Sequence, residues 1–375
     1  MKIIQLSPYF YPHLGGVESH VLELSKHLIE RGHDVTVMTT LLEGTKKTEV
    51  VDGVPVERVK PMTILLKTPI LPGLRNALSK KDCDIVHGHS PPPLTCFFGV
   101  RTTQKMGVPF VLTYHCDLEL PFTFGPFAVQ MYQNTIGAYT VSKSDKIITT
   151  TDTYGATSRT VWQEDSRVIP NAVDADTFNP DNSGTRIRKK YGIGKDEKMV
   201  LYVGRIVPHK GIHYLIRSAK HLNDDVKYVI VGTGEYREYL MDLVRTNNLE
   251  NRVIFAGRVP MKELPEYYAA ADVFVLPSIS RLEAFGIVAL EALASGVPVV
   301  VSDIPGVRDV IVEGRQGLLA EPMKPTNIAG KVRTILENPD MAKHMGELGR
   351  KIVEERYTWD IVAEQIEGVY EEIIG

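Results

Sequence analysis

Short runs of apolar, often β-branched residues alternate with amphipathic helical patterns along both halves of the 375-residue chain. Residues 2–7 predict a strand, Gly15-Gly16 a turn, and 17–31 a helix. In that helix Val17, Val21, Leu24 and Leu28 recur at steps of four, three and four before Gly32 ends it. Further strands are predicted over 34–39, 84–87, 110–114 and 146–150. The pattern then restarts with a strand over 198–203 and a loop leading to a helix from about Gly211. Strands over 228–231, 253–255, 273–276 and 297–301 follow, with helical segments between them. Alternation of this kind predicts parallel α/β sheets covered by helices on both faces. A chain of this length exceeds one ordinary core, so two domains are expected, over 1–170 and 171–356. The charged stretch 181–190, which contains Gly184, reads as a surface connection just past the boundary. The last helix, over 359–374, carries Ile361, Ile366, Val369 and Ile373 and needs a surface to pack on. The segment 357–375 is therefore expected to return to the first domain.

Composition narrows the function classes. A hydrophobic content of 43% with 24% charged residues is that of a globular protein, and a net charge of −3 argues against a general nucleic-acid binder. The three cysteines, Cys83, Cys96 and Cys116, are scattered and lack C-x-x-C spacing. Neither a disulfide framework nor a zinc site is expected, and a reducing cytoplasm fits. No apolar run approaches the roughly 18–20 residues that span a bilayer. The N-terminal Met1-Lys2-Ile3-Ile4-Gln5-Leu6 is too short for a signal peptide. The expectation is a cytoplasmic protein, touching a membrane only at its surface.

Ligands of open parallel sheets bind beyond the carboxyl ends of the strands, and four groups of residues fall there. Gly15 and Gly16, between a strand and a helix, allow backbone N–H groups to approach an anion at the positive end of the helix; the alternative is a tight turn without a ligand. Arg205 and Lys210, flanked by Gly204 and Gly211, bring a planar guanidinium and a mobile ammonium to a helix entrance, a charge pair suited to a diphosphate. Taken alone, they are more commonly solvated loop charges. Glu283 and Glu291 are eight residues apart in what reads as the start of a helix, about 12 Å along its axis. That exceeds the roughly 5–9.5 Å of a glycosidase carboxylate pair but matches the length of a nucleotide sugar. The N–H groups of Phe285, Gly286 and Ile287 are placed to meet the diphosphate between them. His115 ends the strand 110–114, where an imidazole can donate to a leaving phosphate or orient a sugar hydroxyl.

Two motifs point elsewhere and fail. Gly232-Thr233-Gly234 imitates a dinucleotide fingerprint, but Arg237 occupies the third glycine position and no acidic residue ends the next strand, which disfavours a dehydrogenase. Asp82-Cys83-Asp84 and Asp174-Ala175-Asp176 spell D-x-D, one before a buried strand and one in the domain connection. No metal is expected.

Taken together, these residues resemble the retaining glycosyltransferases of family 4, over nearly the whole chain from Gly15 to about Pro322. The resemblance rests on Gly15-Gly16-Val17-Glu18, Ile169-Pro170-Asn171-Ala172-Val173-Asp174, Gly204-Arg205 with Lys210-Gly211, Glu283-Ala284-Phe285-Gly286 through Glu291, and Ala294-Ser295-Gly296-Val297-Pro298-Val299. The stretch Gly15 to His33 is particularly similar to the catalytic subunit of phosphatidylinositol N-acetylglucosaminyltransferase. The resemblance implies the GT-B fold, two Rossmann-like domains with parallel sheets facing across a cleft. It implies transfer of a hexose or N-acetylhexosamine from a nucleotide diphosphate sugar, without a metal, to an alcohol acceptor that is lipid-linked or an inositol phosphate. UDP-N-acetylglucosamine and GDP-mannose lead as donors. By the same resemblance, Gly15 and Gly16 border the donor phosphates and the acceptor, and His115 contacts the transferred sugar. Arg205 and Lys210 hold the diphosphate, Glu283 contacts the sugar hydroxyls, Glu291 holds the ribose, and Asn171 sits at the inter-domain segment. One departure is visible: relatives often carry Gly-Gly and a glutamate after the strand 297–301, whereas this chain reads Ile304-Pro305-Gly306-Val307-Arg308-Asp309. A sugar-nucleotide epimerase of the same fold and a non-catalytic nucleotide-binding module are the competing classes. Ile64-Leu65-Leu66-Lys67 and Leu74-Arg75 leading to Lys80-Lys81 form an apolar stretch laced with positive charge that can lie on anionic lipid; a loop packed on its own domain explains it equally well.

Overall fold

The computed structural model describes residues 1–13, 15–119 and 125–375. It divides into two compact units. Met1–Asn171 together with Trp359–Gly375 forms the first, and Ala172–Thr358 the second.

The first unit contains β1 (Lys2–Leu6), β2 (Asp34–Thr40), β3 (Thr48–Val51), β4 (Val54–Val59), β5 (Thr63–Leu65), β6 (Thr68–Ile70), β7 (Ile85–Ser90), β8 (Phe110–Tyr114), β9 (Lys146–Thr149) and β10 (Ser166–Val168). Eight of these form one sheet in the order β10-β9-β8-β7-β1-β2-β4-β3, parallel except where β3 meets β4, while β5 and β6 pair as a separate antiparallel hairpin. Every residue of β7 and β8 is buried, as expected of strands covered on both faces. The chain runs outward from β1 to β2 and resumes on its other side at β7. The carboxyl ends of β1 and β7 therefore flank a topological switch point.

Helix α1 (Gly16–Glu30) buries Val21, Leu22, Leu24 and Leu28 through its apolar stripe, and His20 is buried with them. The C-terminal helix Trp359–Ile374 packs on α1, burying Trp359, Val362, Ala363, Ile366, Val369 and Tyr370. Glu367 ties the two helices together by accepting hydrogen bonds from Arg31 at 2.6 Å and His33 at 2.7 Å.

The second unit is a six-stranded, wholly parallel sheet of β11 (Lys198–Val203), β12 (Val226–Val231), β13 (Val253–Gly257), β14 (Val273–Leu276), β15 (Val299–Ser302) and β16 (Gly317–Ala320), in the order β13-β12-β11-β14-β15-β16. Its switch point lies between β11 and β14. The loops after those two strands lead to α2 (Ile212–Ser218) and α3 (Ile287–Ala294).

The structure departs from the sequence pattern in several places. The connection over 181–190 is partly helical, Thr185–Tyr191, because Ile187 is fully buried. β7 extends to Ser90, past the predicted end at 87, since His87 and His89 are as buried as the apolar residues beside them. Strands β3, β4, β10 and β16 and the β5–β6 hairpin were not predicted. They are short, and several carry the exposed or polar residues that edge strands tolerate.

Candidate functional site

The candidate residues gather at the two switch points, one in each unit. In the second unit, Lys210 ends a 3₁₀ turn after β11 (Pro208–Lys210), and the next residue explains why the loop holds there. Gly211 has φ of +67°, and a Cβ on it would come within 1.9 Å of the Pro277 carbonyl oxygen after β14. The loops are further joined by the Ile279 N–H, which donates to the His209 carbonyl at 2.9 Å. This approach brings the Lys210 ammonium into an ion pair with Glu283, to which Ser278 Oγ also donates at 3.2 Å. The paired side chains are largely buried. His209 is half-buried beside them, and burial and then the Lys210 charge push its pKa down to about 4.

Arg205 is exposed on the same loop and forms no ion pair among the described residues. Its backbone is held from behind by the two glycines that imitated a dinucleotide motif. A Cβ on Gly232 would meet the Gly204 carbonyl oxygen at 1.9 Å, and one on Gly234 the Ile206 carbonyl oxygen at 2.1 Å. Ile206 N–H donates to the Thr233 carbonyl at 2.9 Å, and Tyr236 N–H to Ile206 at 3.1 Å. The glycines thus let the Arg205 loop lie flat against its neighbour.

Glu283 is not helical. α3 begins only at Ile287, after Gly286 at φ of +89°, so the expected 12 Å separation along a continuous helix does not apply. Among the described residues the N–H groups of Phe285, Gly286 and Ile287 find no acceptor, and they open the N-terminus of α3. Glu291, on the buried face of α3, accepts from Tyr268 Oη at 2.5 Å, and its burial raises the carboxyl pKa to about 7.

In the first unit, His115 follows β8 and its N–H donates to the Ser90 carbonyl at 2.8 Å. The loop beyond it is secured by Asp117, whose carboxylate accepts from Ser158 Oγ at 2.7 Å and Tyr114 Oη at 3.1 Å. His115 belongs to a cluster of buried imidazoles. Ring centroids of His89 and His20 lie 5.3 and 5.0 Å from it, and His87 lies 4.4 Å from His89. Burial pushes the pKa of all four down, to about 4 for His20 and about 3 for His87. Asn171 lies beside His20, and neither the Asn171 Oδ1 atom nor either nitrogen of His20 makes a well-aligned hydrogen bond. His20, His89 and His115 are close enough to hold a metal ion, with ligand atoms within 4.8 Å of one another. The lone pairs and protons of His89, however, are already engaged by hydrogen bonds on both sides.

Gly15, in extended conformation, precedes the first residue of α1, Gly16. The Glu18 carboxylate folds back over this N-terminus, with Oε2 2.4 Å from where a Gly15 Cβ would sit, and accepts from His13 Nδ1 at 2.9 Å. The D-x-D motifs have local roles. Asp82 and Asp84 bind Lys2, and Asp174 accepts from the N–H groups of Asp176 and Thr177 in a turn. The sequence reading did not single out Gln5, His20, His89, Tyr268, Ser278 or Tyr370. Of these, only His87-Gly88-His89 carried a visible signal, two histidines on one face of a buried strand.

Comparison with known proteins supplies the context. The model for glycosyltransferase family 4 matches residues 14–177, and that for glycosyl transferases group 1 matches 183–352. A glycosyltransferase of Methanocaldococcus jannaschii is 30% identical, covering 99% of this chain and 98% of its own. A GDP-mannose-dependent alpha-(1-6)-phosphatidylinositol monomannoside mannosyltransferase of Mycobacterium tuberculosis is 27% identical over 97% of each chain. The GPI3 subunit of phosphatidylinositol N-acetylglucosaminyltransferase from Saccharomyces cerevisiae is 27% identical over 88% of this chain and 75% of its own. Among solved structures, sucrose-phosphate synthase from Thermosynechococcus elongatus shares the fold, with a TM-score of 0.84 at 23% identity, covering 100% of this chain and 99% of that one.

Proposed function

Because the chain belongs to the family 4, group 1 glycosyltransferases, we propose that it transfers a hexose or N-acetylhexosamine from a nucleotide diphosphate sugar to an alcohol, with retention and without a metal. The observation that carries this reading is the second unit's switch point. Arg205, the Lys210–Glu283 pair and three free N–H groups at the start of α3 converge there on loops clamped by Gly211, and Glu291 is buried one turn further on. Cations and a helix N-terminus suit a diphosphate, and they stabilise the charge that develops as the nucleotide leaves. In this reading Glu283 engages the sugar hydroxyls and Glu291 the ribose, with Phe285, Gly286 and Ile287 donating to phosphate oxygens. His115 meets the transferred sugar, and Gly15, Gly16 and Asn171 border the substrates. When ionised, the Glu291 carboxylate can accept from both hydroxyls of a diol, which supports the ribose role.

The acceptor we favour is an inositol phosphate or its lipid, the chemistry carried by the names of two relatives above. The β5–β6 hairpin supports a membrane-facing acceptor. Ile64, Leu65 and Leu66 are exposed along it toward its tip and Met62 at its base, and residues 60–80 hold Lys60, Lys67, Arg75 and Lys80 with no acidic residue among them. None of these four is ion-paired among the described residues, whereas Lys81 is engaged by Glu57. No helix among the described residues is long and apolar enough to cross a membrane.

The test is a thermal-shift panel of nucleotide sugars, led by UDP-N-acetylglucosamine and GDP-mannose, followed by transfer of the stabilising donor's sugar to phosphatidylinositol or inositol phosphate. Stabilisation with transfer is expected. Epimerised donor with no product on any added acceptor would instead indicate the epimerase reading.

A further inference from the structure

The buried imidazoles of the first unit form one continuous hydrogen-bonded chain that reaches from the C-terminal helix to His115. Gln5 Nε2 donates to Tyr370 Oη at 3.2 Å. The Tyr370 hydroxyl is hydrogen-bonded to His87 Nδ1 at 2.6 Å, and His87 Nε2 to Thr113 Oγ1 at 2.6 Å. On the other side of Gln5, Oε1 can only accept, so His89 Nε2 carries the hydrogen across the 2.7 Å between them. Burial keeps these rings neutral, and a neutral imidazole has one N–H. His89 Nδ1 is therefore bare, and across its 3.1 Å contact with His115 Nε2 the hydrogen belongs to His115. The remaining nitrogen of His115, Nδ1, has no partner among the described residues and is not among their sealed, unpartnered atoms. It is the edge of the ring open to a ligand.

We propose that Gln5 and Tyr370 are positioning residues that act through His89 to hold His115 as the Nε2–H tautomer, presenting Nδ1 as a hydrogen-bond acceptor for a sugar hydroxyl. The part concerning the sugar rests on the function proposed above; the tautomer does not. Of the two roles open to a strand-end histidine, orienting a hydroxyl and donating to a phosphate, this arrangement selects the first. It also gives the C-terminal helix a part in the chemistry besides packing, because Tyr370 Oη takes the Gln5 amide N–H and leaves Oε1 turned to His89. Turning that carboxamide over would reverse every hydrogen bond in the chain and make Nδ1 of His115 a donor.

The experiment is long-range ¹H–¹⁵N correlation of the imidazoles in full-length protein labelled with ¹⁵N-histidine, with the His115 signals assigned from a His115→Gln variant. The native spectrum should show His115 protonated at Nε2 and bare at Nδ1. Tyr370→Phe keeps the ring but frees the Gln5 carboxamide, so His115 should show an average of both tautomers. With about half of the rings then presenting Nδ1–H, kcat should fall about twofold, with KM for the donor unchanged. Gln5→Met, which removes the acceptor of the His89 Nε2–H, should likewise give an averaged His115 tautomer, and it carries the test should Tyr370→Phe fail to fold. A native His115 protonated at Nδ1, or a tautomer indifferent to Tyr370→Phe in a folded protein, would overturn the proposal. So would stoichiometric zinc on His20, His89 and His115, measured by elemental analysis of the purified protein. If His115→Gln retains full transfer while the tautomer is as expected, the sugar-contact reading fails and the positioning chain stands.

Discussion

Replacing Glu291 by Gln should stabilise the second unit while removing its hold on the nucleotide. The carboxyl is 8% exposed and burial lifts its pKa from 4.5 to about 7. Two and a half pH units at about 1.4 kcal/mol each amount to a cost of about 3 kcal/mol for keeping this group ionised in the fold. The sign follows from proton counts. Between pH 4.5 and 7 the folded chain retains a proton that the unfolded chain has released, so stability falls as pH rises through that window and the full cost is present above it. Glutamine keeps the shape, accepts from Tyr268 and carries no charge. The gain should therefore be about 3 kcal/mol at pH 8, about 2 at pH 6 and under about 1 near pH 5. At pH 8 this corresponds to about 6–12 °C in Tm for a unit of this size. Calorimetry is the suitable assay, since both tryptophans, Trp162 and Trp359, lie in the first unit and fluorescence would not see the change. The variant should also lose the stabilisation that nucleotides confer on the parent. An equal gain at pH 5 and pH 8, or a loss at pH 8, would refute the claim that burial of a charge at Glu291 is the cause.

Other expected outcomes follow from the same geometry. Lys210→Ala removes the cation paired with Glu283 and should lower kcat/KM about a hundredfold or more with the fold intact by circular dichroism; near-normal turnover would count against the assignment. Gly211→Ala meets the Pro277 carbonyl at 1.9 Å and a left-handed φ, so it should cost about 1–3 kcal/mol and weaken nucleotide binding, read by calorimetric titration. The first unit should lose stability as pH falls below about 6.5. His20 and His87 have folded pKa values near 4 and 3, so between those values and 6.5 the unfolded chain binds more protons. With two such groups the slope should reach about 3 kcal/mol per pH unit near pH 5, followed by tryptophan fluorescence; a flat profile from pH 7 to 5 would contradict it. Finally, Leu65→Ser with Leu66→Ser should abolish sedimentation with anionic liposomes, and unchanged sedimentation would remove the hairpin from the account.

The two sheets were legible because their central strands are unbroken apolar runs, as in Lys198–Val203 and Val273–Leu276, and because α1 has a clean helical period. What stayed hidden was set by tertiary context. β16 is four residues long and opens on a glycine that a Cβ would drive into Val299, so only its neighbour reveals it as a strand. The candidate residues Lys210 and Glu283 could be named from spacing, yet their pairing depends on the contact between Gly211 and Pro277, 66 positions apart in sequence. The partners of His115 were less accessible still. Gln5 reads as a strand residue and Tyr370 as part of an amphipathic helix, and their meeting on either side of one hydrogen-bond chain is a property of the fold alone.

Where the donor binds is the most direct test of the proposed site. A crystal structure with the stabilising nucleotide sugar should show its diphosphate at Arg205, Lys210 and the first turn of α3, with the ribose hydroxyls on Glu291. A nucleotide seated away from these residues, with Glu291 still bonded to Tyr268, would contradict it.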